Sequence, residues 1–274
     1  METRNQEEKI RYTAKYFRDN LPEWKKKKDS LIGRLLYRRL SFYISAFFSN
    51  RGLGANAISY FSIFIAITAC GLYLFHNYYL AILGAVLMNI WALLDDADGN
   101  MARSVKKEPF GEFADAISSY VLVAFMCTSF AMYAYFCGGQ IIRDGNIWIV
   151  FIGAIASTSD TLMRLIYQKY KSNEYELADQ KVLTIENDYR LDHSKVGSIK
   201  SRIEAEFGLS ETMTVVILLC TVFKALDLLV IYYCLYFCGS LVVSSCIFIN
   251  KAIRFTNSHL DIDLNNYNST GEKK

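Results

Sequence analysis

A chain of 274 residues is long enough for one substantial domain and requires no second. Its net charge of +3 is too small to indicate nucleic-acid binding, and no basic stripe in a nucleic-acid-binding motif accompanies it. The hydrophobic fraction of 53 % is gathered into long uncharged stretches from residue 52 onward, which points to an all-α integral membrane protein. The seven cysteines, at 70, 127, 137, 220, 234, 238 and 246, sit in or beside these apolar runs without metal-ligand pairing and read as packing residues. No short basic region followed by an apolar core opens the chain, so no cleavable signal peptide is expected.

Residues 1–53 hold thirteen Lys or Arg against six Asp or Glu, an asymmetry that reads as a membrane-surface or topology signal. The basic run 25–28 reads either as a solvated tail that sets orientation or as a headgroup contact. From residue 30 to 48, Arg34, Arg38 and Arg39 alternate with Leu, Ile, Tyr and Phe. This pattern predicts an interfacial amphipathic helix whose basic groups face headgroups while its aromatics enter the boundary. A hydrocarbon core of about 30 Å takes roughly 20 helical residues. That ruler gives spans over 55–75, 79–94, 114–136 and 147–167, then a polar interval of about 40 residues. The apolar region 212–249 is too long for one crossing and contains Lys224 and Asp227 near an expected tight turn, so it divides into a short fifth span and a longer sixth.

The expected organisation is a basic tail and interfacial helix over 1–50, a six-span membrane domain over 51–255 and a mobile polar tail over 256–274. Arg51, Arg103, Lys106, Lys107 and Lys251 fall on the side of the basic amino-terminal segment, which places that side, with both termini, in the cytoplasm. Small residues such as Gly84, Ala85, Gly153 and Ala154 suit close helix packing.

The chemistry concentrates in residues 92–120, ALLDDADGNMARSVKKEPFGEFADAISSY. Ionised groups at the end of an apolar span are costly unless paired, hydrated or coordinated. Asp95 and Asp98, three apart on a helix, converge on one face, whereas Asp96 is turned away by about 100°. Gly99 permits a turn or a close approach by phosphate. Glu112 and Asp115 open the next helix, and Asp115 meets Asp95 and Asp98 if the two spans pack antiparallel. Such a carboxylate set suits hard divalent ions, Mg²⁺ or Mn²⁺, and Arg103 adds a directional cation for phosphate. The cytoplasmic surface is then the expected place of the site. A solvated acidic span end is the plainer alternative, above all for Asp96, Glu108 and Glu112. The three histidines are scattered, so a zinc site is not indicated.

This segment resembles the CDP-alcohol phosphatidyltransferase signature, D-x-x-D-G-x-x-A-R followed by G-x-x-x-D-x-x-x-D. Asp95, Asp98, Gly99, Ala102, Arg103, Gly111 and Asp115 fit its order, and the likeness extends from about residue 30 to 255. The last motif position departs from it, being Ser119 in place of Asp. The resemblance implies transfer of a substituted phosphate from a CDP-linked donor, CDP-diacylglycerol or a CDP-alcohol, to an alcohol hydroxyl with release of CMP, in phospholipid headgroup synthesis. It implies Mg²⁺ or Mn²⁺, two ions, on Asp95, Asp98 and Asp115, with the donor and acceptor, membrane lipid and commonly a homodimer as partners. The missing carboxylate is the one the family assigns as general base, and a serine hydroxyl has no comparable proton affinity. Glu112 acting through water, Asp96 turned inward, or a base on the acceptor itself are the alternatives for that step. The family often carries an Asn near the nucleotide at the position of Asn56, which otherwise caps the first span. It also places acceptor contacts in the region of Ser157, Ser159, Asp160 and Arg164, where Arg164 either binds an anionic acceptor or snorkels. Lys200 and Arg202 read as surface charges. The other readings are a degenerate homologue that binds CDP-linked substrates without efficient turnover, and a membrane transporter.

Overall fold

A computed structural model describes residues 11–179 and 210–258. All regular structure among them is helical: α1 (Ala14–Asp19), α2 (Glu23–Lys28), a π-helical turn (Gly33–Tyr37), α3 (Arg38–Asn50), α4 (Ala55–Tyr73), α5 (Tyr78–Ser104), α6 (Gly111–Cys137), α7 (Trp148–Asp179), α8 (Glu211–Val222) and α9 (Leu226–Ser258). Helices α4, α5, α6, α7 and α9, of 19, 27, 27, 32 and 33 residues, are long and apolar enough to cross a bilayer, and the chain is an all-helical multi-pass membrane protein with five clear spans among the described residues. The 12 described residues of α8 rise about 18 Å, which leaves a sixth span borderline. Between α8 and α9 Lys224 takes the left-handed conformation, φ +54°, at the tight turn expected near it.

Two helices run past their expected ends. The span over 79–94 continues through the acidic segment to Ser104, and Gly99 makes no turn. The reason is that the polar groups of that stretch find partners without leaving the helix, and Arg103 in the last turn complements the helix C-terminus. The span over 147–167 continues as α7 to Asp179, its polar end including a Lys171–Glu174 ion pair. Lys200, Arg202 and the tail beyond Ser258 lie outside the described residues.

The described residues divide into two units, the first taking 11–69, 82–121 and 210–219. Its apolar cluster joins Phe17 and Leu21 of the amino-terminal segment to Phe42, Ala46, Ala55, Ile58, Leu94 and Met101. Burying one large side chain of this kind is worth about 1.5–3 kcal/mol, which accounts for the docking of so charged a segment. Polar ties add direction. Thr13 caps α1 through the Tyr16 amide at 3.2 Å, the Tyr16 hydroxyl donates to the Ser104 carbonyl at 2.7 Å, and Asn50 exchanges two hydrogen bonds with the Tyr12 backbone.

The second unit takes residues 70–81, 122–179 and 220–258. Here α6 and α7 pack so closely that a Cβ on Gly153 would strike Ala131 and the Cys127 carbonyl. The Tyr73 hydroxyl pairs with Thr221 at 2.9 Å while its ring packs edge-on against Phe130. Asp227, at the start of α9 and fully buried, accepts from the amides of Gln140, Ile141 and Ile142 at 3.0, 2.7 and 2.9 Å, so this carboxylate organises the loop after α6. All seven cysteines are free, with Cys70 and Cys127 buried in helix contacts.

Candidate active site

The carboxylates are gathered in the first unit by α4, α5 and α6. Because α5 stays helical through Ser104, residues 95, 98, 99 and 102 share one face, and 96 and 100 point about 120° around the axis. Asp98 is buried and accepts from the Ser59 hydroxyl of α4 at 2.5 Å. Asp95 is half-buried and within hydrogen-bonding reach of the exposed Asp115 of α6. Asp98 adds its charge from the same side, so a proton or a cation among the three would relieve their repulsion. One turn beyond Asp115, Ser118 is buried in a polar chain, bonded to Ser62 of α4 at 2.5 Å and to the Trp91 indole nitrogen of α5 at 2.9 Å. The cluster thus has a rigid hydrogen-bonded floor and an open side at Asp115.

Arg103 stands over Gly99. A Cβ there would lie 3.0 Å from its guanidinium, so the glycine makes room for the arginine, which spends one N–H on Asn100 at 3.1 Å. Ala102 packs against the Phe17–Leu94 apolar cluster. The loop before α6 is fastened to the start of α4: Glu108 accepts from the Asn56 amide at 2.9 Å, and the Asn56 side chain donates to the Pro109 carbonyl at 2.8 Å. Gly54 leaves the space that the Glu108 carboxylate fills, and a Cβ on Gly111 would approach Asn56 Oδ1 to 3.3 Å. This tether holds Phe110 at φ +58°, a strained conformation for a side chain of its size. Asn56 therefore anchors the loop, and its own helix end is capped by Glu108.

Other expected residues are placed elsewhere. Glu112 is exposed and lies 3.5 Å from Lys107, two helical turns before Ser119. The Ser119 hydroxyl, half-buried, donates back to the Ala116 carbonyl at 3.0 Å. Asp96 does not turn inward but meets Arg38 at 2.9 Å. Arg164, in the second unit, pairs with the buried Asp160 at 2.5 Å. In the same unit Ser157 accepts from the Thr128 amide at 3.3 Å, and Ser159 contacts Cys238.

Arg38 overturns the expectation that it faces headgroups. Its side chain is buried and held by Asp29, Asp96 and Asn100, while Arg34 and Arg39 are exposed. Burial opposes the Arg38 charge, but Asp96 and Asp29 outweigh it and raise its proton affinity. In sequence, nothing separates Arg38 from its two neighbours. Ser59 and Ser62 were open to recognition, since two hydroxyls three apart in an apolar span mark a polar stripe toward the acidic segment.

The decisive comparison is with known families. The chain matches the CDP-alcohol phosphatidyltransferase family over residues 53–187. The match contains all the candidate residues from Asn56 to Arg164 and leaves Asp29 and Arg38 outside it. No curated protein matches the chain. The family assignment supports a membrane phosphotransferase of phospholipid synthesis, carrying out headgroup transfer of the CDP-alcohol or CDP-diacylglycerol type.

The family's chemistry is linked to divalent metal ions. Among the described residues, no three His, Cys, Asp or Glu side chains stand together in a metal-holding arrangement. The donor chemistry nevertheless fits. Asp95, Asp98 and Asp115 carry carboxylate oxygens, the donor type that a hard divalent ion takes, and they stand near enough for their charges to interact. Asp98 differs from the other two in being engaged by Ser59.

Proposed function

We propose that the chain transfers a substituted phosphate from a CDP-linked donor to an alcohol hydroxyl at Asp95, Asp98 and Asp115, with those carboxylates holding Mg²⁺ or Mn²⁺. The observation that carries this reading is the gathering of Asp95 of α5 and Asp115 of α6 around the Ser59-bonded Asp98, beside Arg103. In the reaction the acceptor oxygen attacks the β-phosphorus, the bond to the bridging oxygen breaks, and CMP departs with that oxygen. A divalent ion bound by the aspartates would neutralise the diphosphate and stabilise the departing oxygen. Arg103 keeps donor groups beyond the one given to Asn100 and offers them to a phosphate oxygen. The small Gly99 surface under Arg103 lets a diphosphate approach the helix closely.

The surroundings support a site at the membrane surface. Leu31, Leu35, Leu36, Leu40, Tyr43 and Phe47 are exposed on the segment that carries exposed Arg34 and Arg39, as an interfacial helix requires. A hydrated nucleotide and a buried acyl chain are both served at such a boundary, and the basic loops favour its cytoplasmic side.

The test is purified protein in lipid with a panel of CDP donors and alcohol acceptors, following CMP release with and without Mg²⁺ or Mn²⁺. Metal-dependent CMP release is expected. CMP binding without release from any pairing would indicate a degenerate homologue, and solute movement without CMP release would indicate a transporter.

Acceptor deprotonation is the step that Ser119 leaves unassisted. Its hydroxyl is bonded to its own helix, and Asp96 is engaged by Arg38, which leaves Glu112, exposed two turns before Ser119, or a base on the acceptor itself as the routes for that proton. Ser119→Asp puts a carboxylate one helical turn from Asp115. A positioned base contributes about 10²–10⁴-fold in established cases, and a gain of roughly tenfold in transfer to simple alcohols is expected here. An unchanged or lower rate would show that the acceptor loses its proton by another route.

A further inference from the structure

Arg38 carries a charge into the interior of the first unit, where an unpaired ion costs several kcal/mol, and it lies outside the family match. Its guanidinium is used on three sides. Nε and Nη2 donate to the two oxygens of Asp29 at 2.8 and 2.7 Å, Nη2 also meets Asp96 at 2.9 Å, and Nη1 donates to Asn100 at 3.1 Å. Lys25 reaches Asp29 at 3.4 Å, so two cations face two carboxylates. Asn100 passes the network on, donating to Ser41 of α3 at 3.0 Å and accepting from Arg103.

The two residues gripped on α5 are Asp96 and Asn100, one turn apart on the face about 120° from the site face. A grip at that angle resists rotation of the helix about its axis. Side chains on a helix reach about 5–6 Å from its axis, so a rotation of roughly 20° would move the Asp95 and Asp98 carboxylates by about 2 Å. Misplacement of about 1 Å at a reacting centre is enough to cost roughly 10²-fold in rate. Apolar contacts at Leu94 and Met101 hold α5 in place but are non-directional, whereas a planar fork fixes an angle.

We propose that Arg38 is a positioning residue for the transfer reaction: by gripping Asp96 and Asn100 it sets the rotation of α5 and so aims Asp95 and Asp98 toward Asp115. This rests on the function proposed above.

The test uses the full chain in lipid, with Mn²⁺ binding read from the loss of the free-ion electron paramagnetic resonance signal in the absence of substrate, alongside steady-state CMP release. Arg38→Lys keeps the charge and loses the fork. It is expected to raise the Mn²⁺ concentration for half-saturation about tenfold and to lower kcat about 30-fold, with the donor KM changed less than about threefold. Phe42→Leu loosens the adjacent apolar cluster without touching the grip, and it is expected to lower the unfolding temperature while leaving Mn²⁺ half-saturation unchanged. Should Arg38→Lys fail to fold, Asn100→Leu removes one arm of the grip and leaves Arg38 paired with Asp29 and Asp96, and at least a threefold weakening of Mn²⁺ binding is expected. A folded Arg38→Lys protein with unaltered Mn²⁺ binding and kcat would overturn the proposal, as would an unaltered folded Asn100→Leu protein, or equal weakening by Phe42→Leu. Failure of the unsubstituted protein to bind Mn²⁺ or release CMP would instead overturn the reading of the site itself.

Discussion

Asp95→Ala and Asp98→Ala are each expected to lower metal-dependent CMP release by at least about 10³-fold while leaving the unfolding temperature in detergent unchanged or slightly raised. The loss follows from the chemistry proposed for the cluster. Outer partners of a metal site already contribute about 10–100-fold, and a direct ligand contributes more. The retained stability follows from what each change leaves behind. Asp98→Ala removes one partner of the Ser59 hydroxyl, which still donates to the Ala55 carbonyl at 3.2 Å. Either change also withdraws one negative charge from a group of neighbouring carboxylates, which relieves repulsion. A functional cluster built at the expense of stability should show this opposition of activity and stability. Activity above about a tenth of the unsubstituted rate, or loss that tracks unfolding, would count against the assignment.

The second large effect falls in the second unit. Asp227→Ala is expected to destabilise the protein by about 3 kcal/mol, read as a lower thermal unfolding midpoint in detergent, with CMP release retained below that midpoint. Three backbone amides converge on this carboxylate, and each bond to a charged acceptor is worth about 1.5–3 kcal/mol before non-additivity. The site is also sterically committed, because a Cβ on Gly139 would overlap the Asp227 carboxylate. Asp227→Asn is expected to lose nearly as much, since its amide nitrogen would face backbone N–H groups. A midpoint within a degree or two of the unsubstituted protein would contradict this account.

These two sites show how far the sequence can be read. Asp95, Asp98 and Asp115 were legible because helical periodicity turns a spacing of three into a shared face and an antiparallel pair of spans brings the second helix to it. The extent of α5 was not, since the acidic segment looks like a span end until Arg38 and Ser59 are known to satisfy it. Asp227 was recognisable as a turn residue, but its partners lie more than 80 positions away, and no local pattern encodes them. Arg38 is the clearest limit. A basic residue in an amphipathic segment has the same sequence signature whether it snorkels to headgroups or enters the interior, and only its distant partners decide. Adjacent serines pose the same problem at smaller scale, Ser118 closing a buried polar chain and Ser119 bonding its own helix.

The fastening of the loop before α6 also bears on how substitutions in this region can accumulate. Glu108 fills the space that Gly54 leaves vacant and caps the first turn of α4, while Asn56 holds Pro109 and crowds Gly111. Residues 54, 56, 108 and 111 thus constrain one another across two separate stretches of chain, and a larger residue at 54 is tolerable only with a shorter one at 108. Such positions should vary together among descendants of this sequence, as a correlated set whose members look individually replaceable.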